Sequence, residues 1–169
     1  MYDCVLQPDY PKEVSEMENT ILVVPRRALH EIHSGNAFKA DRVATIHIYS
    51  FDSKPIDHLK GKFLALQFDD IEKPMSYKGR DLILFTEAQA KQIVAFLDEI
   101  KDTHPLLLCS CDAGISRSGA VGEFACDYLG LDKNKFYAHN PFIHPNIHVK
   151  TMLWRVVRQN NSMKEGVAG

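Results

Sequence analysis

The chain has 169 residues, 45% of them hydrophobic, and carries 20 basic against 22 acidic side chains for a formal charge of -2. Such a length suits a single domain with a sizeable core, and the balanced charge, with no long run of either sign, argues against sequence-independent binding to nucleic acid or to an anionic membrane. A local basic pocket is compatible with that balance.

Along the chain, the first twenty residues are polar and broken by prolines. ILVVPRRALHEIHSG then offers a short apolar run and a helix that can start at Pro25, with Ala28, Leu29 and Ile32 on one face. DRVATIHIYS reads as a β-branched strand and SKPID as the turn that leaves it. KFLALQFDD is a strand that stops on two carboxylates, and the polar IEKPMSYKGRD after it reads as a loop. Thr86 and Gln89 have capping-box spacing, which opens a helix whose apolar stripe is Ile93, Phe96, Leu97 and Ile100. PLLLCS fits a strand buried on both faces, and SGAVGEFACDYLG a helix with Val121, Phe124, Ala125, Tyr128 and Leu129 facing inward and Gly130 as terminator. HNPFIHPNIHVKTMLWRVVRQNN gives two proline-marked turns and a helix carrying Val149, Met152, Leu153, Val156 and Val157. From about residue 160 the chain reads as a frayed tail of the one domain, residues 1–169.

Strands alternating with helices predict a three-layer α/β domain, a mostly parallel central sheet flanked by helices. Ligands in such folds collect beyond the carboxyl ends of the strands. CDAGISRSG, residues 111–119, and the pair Asp69 and Asp70 both fall there. No run of about 18 apolar residues occurs, and MYDCVLQPDYPKE lacks the basic flank and apolar centre of a secretory signal, so the chain is expected to be soluble and cytoplasmic. Cysteines stand at positions 4, 109, 111 and 126, without the density of a disulfide scaffold or the spacing of a zinc site. Free thiols fit a reducing compartment.

The chemistry of CDAGISRSG follows from its residue types. A loop that runs from a buried strand into a helix amino terminus turns backbone N–H groups on an anion, and Gly114 lets the backbone approach closely. Arg117 adds a planar fork suited to two oxygens of one phosphate. The same field favours a thiolate over a thiol at Cys111, which places a nucleophile at the floor of an oxyanion cradle.

SCDAGISRSG resembles the signature of the cysteine-dependent protein tyrosine phosphatases and dual-specificity phosphatases: a cysteine, five residues, an arginine, then serine or threonine. Cys111 matches the nucleophile, Asp112, Ala113, Gly114, Ile115 and Ser116 the phosphate-binding loop, Arg117 the phosphate-binding arginine, and Ser118 the hydroxyl residue. The order of elements resembles that family from about residue 42 to residue 158. The resemblance implies a phosphate monoester hydrolase, foremost a protein-tyrosine phosphatase working through a cysteinyl-phosphate, with no cofactor and no metal. Its partners would be a phosphorylated protein or a small phosphate ester, and phosphate, sulfate or vanadate would occupy the site. Asp70 is the expected general acid and Asp69 the alternative. Ser110 stands where the family usually has histidine. Asp112, beside the nucleophile, is expected to point outward or to pair with a base near the rim.

Other readings stay open. A dual-specificity or small-molecule phosphatase would use the same residues. A rhodanese-like sulfurtransferase also keeps a cysteine in an anion-binding loop but needs no acid, and a phosphate-binding module would need no turnover. Cys109 and Cys126 read as small buried hydrophobes, and His139, His144 and His148 as turn or surface residues. Arg26, Arg27, Lys78 and Arg80 suit either a solvated face or a pocket rim.

Overall fold

The run LLLCSC is apolar enough to be covered on both sides, and it becomes the strand around which the sheet is built. The computed structural model describes residues 16–167; Cys4 lies outside them. In chain order the elements are β1 (Thr20–Pro25), α1 (Arg26–Ser34), β2 (Val43–Tyr49), β3 (Lys62–Gln67), β4 (Ser76–Tyr77), β5 (Arg80–Asp81), α2 (Glu87–Ile100), β6 (Leu106–Cys111), α3 (Arg117–Tyr128), α4 (Lys133–His139) and α5 (Ile147–Val167). Four strands form one parallel sheet in the order β1-β6-β2-β3, with Leu107 opposite Ile21 on one side and Ala44 on the other.

Alternation splits β6 between two cores. Leu107, Cys109 and Cys111 pack toward α2, α3 and α5 with Phe85, Leu97, Phe124 and Leu153, while Leu106 and Leu108 face α1 with Leu29, Ile32 and Val43. Helices on both faces of a parallel sheet make the expected three layers. Because β6 enters between β1 and β2, its carboxyl end opens on the crevice between their trailing loops, and CDAGISRSG begins there.

Local signals read from the sequence set several boundaries. Thr86 accepts from the Gln89 amide while the Gln89 side chain takes the Thr86 amide, so the capping box is formed. Gly130, at φ +67, closes α3 with Leu131 N–H on Cys126 O at 2.9 Å and its own N–H on Asp127 O at 3.2 Å, the paired bonds of a Schellman ending. Asn140 joins distant elements: its amide donates to Ile21 O at 2.8 Å and its carbonyl accepts from Val23 N at 2.7 Å.

Three segments depart from expectation. IEKPMSYKGRD contains a small antiparallel hairpin, β4 with β5, turned at Lys78 and Gly79, both at positive φ. The stretch before His139 holds α4, started by the Asp132 carboxylate on the Asn134 and Lys135 amides. The tail expected from about residue 160 is instead helical, since α5 continues to Val167; Met163, Lys164 and Glu165 are good helix formers, and Ser162 Oγ donates to Arg158 O at 3.0 Å. Among the described residues no helix is long and apolar enough to cross a membrane.

Two histidines are buried in the α1 layer. His33 accepts the Lys60 amide at 2.9 Å and meets Thr45 Oγ1 at 3.0 Å; His47 meets Arg26 Nη1 at 3.3 Å. Burial is the chief cause that holds both imidazoles down to about 4, helped at His33 by His58 and Lys60 and at His47 by Arg26. An unfolded chain protonates them near 6.5, so between about pH 6.5 and 4 the unfolded state binds more protons. The stability that the two neutral histidines contribute is therefore expected to be lost as the pH drops across that window. Denaturant titrations at pH 7 and pH 4.5 should show the loss, and His47→Gln should remove a part of it; equal midpoints at the two pH values would contradict the assignment.

Candidate active site

Backbone polarity is fixed first in the 111–117 loop. In a planar trans peptide, the carbonyl of one residue and the N–H of the next point in opposite directions. The Asp112 carbonyl accepts from Arg26 N at 3.3 Å, the Ile115 carbonyl from His144 N at 3.0 Å, and the Ser116 carbonyl from Asn146 N at 3.1 Å. With these oxygens drawn outward to α1 and to the loop before α5, the amides of Ala113, Ser116 and Arg117 are turned to the inner side. No hydrogen bond among the described residues takes up the Ala113 or Ser116 amide. Gly114 sits at φ +67, and a Cβ there would stand 2.4 Å from Pro25 N, so only glycine lets the loop lie against the end of β1.

Cys111 ends β6 and is 2% exposed, with its Sγ 3.0 Å from Ser118 Oγ in the first turn of α3. Arg117, 5% exposed, is clamped from the side: Nη1 donates to Ser50 Oγ at 2.9 Å and to Phe68 O at 2.8 Å, and Nη2 to Asp112 Oδ2 at 3.0 Å. Its Nε is buried with no partner among the described residues. The base that Asp112 meets is thus Arg117 itself. Burial pushes the Asp112 carboxyl up, but the Ser50 hydroxyl, at 2.7 Å, and the Arg117 guanidinium outweigh it and hold the group below the usual aspartate range. Its charge is spent on the arginine and not on the thiol.

The two candidate acids separate cleanly. Asp69 is buried, and both its oxygens are committed to the backbone: Oδ1 to Phe51 N at 3.2 Å and Oδ2 to Ile83 N at 2.7 Å. It ties the base of the β4-β5 hairpin to the loop after β2. Asp70 is exposed, and its Oδ1 accepts from Ser116 Oγ at 2.7 Å and from Asn146 Nδ2 at 2.9 Å, which holds it against the loop.

Ser50 and Asn146 were not singled out by the sequence. Asn146 is 3% exposed; its side chain holds Asp70, takes the Val149 amide at 3.0 Å as the cap of α5, and its own amide braces Ser116. An asparagine after Pro145 and before an apolar helical stripe is a cap signal, and it was available. Ser50 carried no signal beyond its place at a strand end.

Burial, and at Cys109 the neighbouring Cys111, pushes the Cys109 thiol far up; burial with nearby Asp127 also raises Cys126. His144 serves the loop through its backbone, and His148 Nε2 lies 2.9 Å from Phe85 O. Among the described residues no group of three or more His, Cys, Asp or Glu side chains is arranged to hold a metal. Arg27 pairs with Glu31, Lys78 lies over Tyr77, and Arg80 lies 4.6 Å over the Phe51 ring. A cleft of about 430 Å³ opens elsewhere, among Thr20, Asp98, His104 and Tyr128, and no signature residue lines it.

No family model matches the chain, and no curated protein matches it. Solved structures do. Human DUSP28 superposes with a TM-score of 0.54 at 15% identity, covering 86% of this chain and 96% of that one. PTPMT1 in complex with PI(5)P gives 0.54 at 10% identity over 87% and 96%. Tk-PTP in its active form gives 0.51 at 18% identity over 80% and 88%. At such identities the likeness is one of architecture, and the chain has the fold of the cysteine-dependent protein tyrosine and dual-specificity phosphatases.

Proposed function

We propose that the chain is a phosphate monoester hydrolase, with phosphotyrosine in protein as its foremost substrate. One observation carries this reading: among the described residues no acceptor takes up the buried Arg117 Nε or the Ala113 and Ser116 amides of the loop that follows Cys111. Buried donors without partners are costly, and a tetrahedral oxyanion would satisfy them together.

In the proposed reaction the Cys111 thiolate attacks phosphorus in line, forming the S–P bond as the bond to the leaving oxygen breaks. Asp70 gives that oxygen its proton. Arg117 and the amides hold the equatorial oxygens throughout. Water, its proton taken by Asp70, then displaces the sulfur, and the Ser118 hydroxyl, 3.0 Å away, donates to the departing thiolate. Sulfur transfer is the weaker reading, since it gives no role to a carboxylate held on the loop by Ser116 and Asn146.

The test is hydrolysis of p-nitrophenyl phosphate by the full chain, with vanadate as inhibitor, beside a thiosulfate-to-cyanide sulfur-transfer assay. Vanadate-sensitive hydrolysis without sulfur transfer is expected. Anion binding without turnover would reduce the protein to a phosphate-binding module, and sulfur transfer alone would replace the proposal.

A further inference from the structure

Two side-chain polar atoms are buried without a partner among the described residues, Arg117 Nε and His47 Nδ1. The oxyanion reading accounts for the first only. His47 lies on β2 and is fully buried. Arg26 settles its tautomer: a guanidinium can only donate, so its Nη1 at 3.3 Å makes His47 Nε2 the acceptor and leaves the ring proton on Nδ1. Burial keeps the ring neutral, so that this arrangement holds across the physiological range.

Register then fixes what stands beside it. The parallel ladder pairs Val43 with Leu106, Thr45 with Leu108 and His47 with Ser110, so His47 and Ser110 share the sheet face that packs on α1. Ser110 is fully buried, and its hydroxyl makes one long contact, 3.5 Å to Cys111 O. An imidazole and a hydroxyl with spare capacity thus stand on adjacent strands, level with the residue that precedes the nucleophile. A second route runs through Arg26. Its side chain is held by His47 and by Lys54 O at 2.6 Å, while its backbone N–H takes the Asp112 carbonyl whose orientation turns the Ala113 amide inward.

We infer that His47 is a positioning residue of the anion cradle, supplying from the neighbouring strand, through Ser110 and Arg26, the imidazole that is absent at position 110. This rests on the reading of residues 111–117 as an oxyanion site.

An imidazole swap tests it. Tungstate affinity of the full chain is measured by calorimetry, with the melting temperature, for wild type, His47→Ser, Ser110→His and the double substitution. His47→Ser is expected to weaken tungstate about tenfold, the scale of one hydrogen bond in a charged site. Ser110→His alone crowds His47 and should not tighten it. The double substitution, which moves the ring across the ladder, should recover affinity to within about threefold of wild type. Packing alone predicts no such rescue. Folded His47→Ser with unchanged affinity, or a double substitution that stays as weak as the single, would overturn the inference. Should His47→Ser fail to fold, Arg26→Met combined with Ser110→Ala cuts both routes while keeping the ring, and wild-type affinity in that variant would overturn it equally. Wild type that binds no tungstate would remove the oxyanion reading itself, and this inference with it.

Discussion

Cys111→Ser is expected to lower aryl phosphate hydrolysis by roughly 10⁴-fold or more while leaving tungstate bound. A serine hydroxyl is nearly isosteric with the thiol but ionises far less readily, and among the described residues the polar side-chain contact of Cys111 is Ser118 Oγ, which is no base. The groups proposed to hold the anion do not depend on the sulfur. Arg117 is clamped by Ser50, Phe68 and Asp112, and the loop carbonyls are braced by Arg26, His144 and Asn146. Cys109→Ser and Cys126→Ser should keep their turnover, because those thiols are buried and pushed up. Residual activity within tenfold of wild type in Cys111→Ser would show that another group attacks phosphorus.

For the acid, Asp70→Asn is expected to slow hydrolysis of esters with poor leaving groups by roughly 10²- to 10⁴-fold, and to slow a nitrophenyl ester much less. The difference arises because a stable phenolate leaves without a proton. Tungstate affinity should change little, since Asp70 meets the loop through the Ser116 side chain and contributes no donor to the cradle. Asp69→Asn should behave in another way. Both Asp69 oxygens receive backbone N–H groups, and the amide nitrogen of asparagine would face one of them, donor to donor. A stability loss of about 1–3 kcal/mol is expected, with no dependence on leaving group. A large, leaving-group-dependent loss in Asp69→Asn with a mild Asp70→Asn would exchange the roles.

The parts of the site that could be read from the sequence are those the chain writes contiguously. Cys111, Gly114, Arg117 and Ser118 lie within one strand-loop-helix unit, so the role proposed for each could be argued from its neighbours. Capping at Thr86 and the close of α3 at Gly130 are local for the same reason. Choosing between Asp69 and Asp70 was harder, because strand alternation stops being a guide once β3 ends at Gln67; what separates them is Ile83 and Phe51 on one side and Ser116 and Asn146 on the other. Ser50 lies 67 residues before Arg117 and Asn146 lies 76 after Asp70, so their contacts exist only once the sheet has formed. The β4-β5 hairpin hid in a stretch whose Pro, Gly and charge content reads as loop, since two-residue strands carry no periodicity.

The amide of Asn140 has a meaning beyond joining α4 to β1. Among the described residues strand β1 is at the rim of the sheet, with β6 on one side and no strand on the other. TILVVP is uncharged and rich in β-branched residues, the composition that invites a stranger's backbone to pair with it. By accepting from Val23 and donating to Ile21, Asn140 imitates the peptide of a missing neighbour and occupies the two groups that such an intruder would use first. One side chain from a loop far along the chain thereby makes the rim self-terminating, and losing it is expected to register as association between molecules.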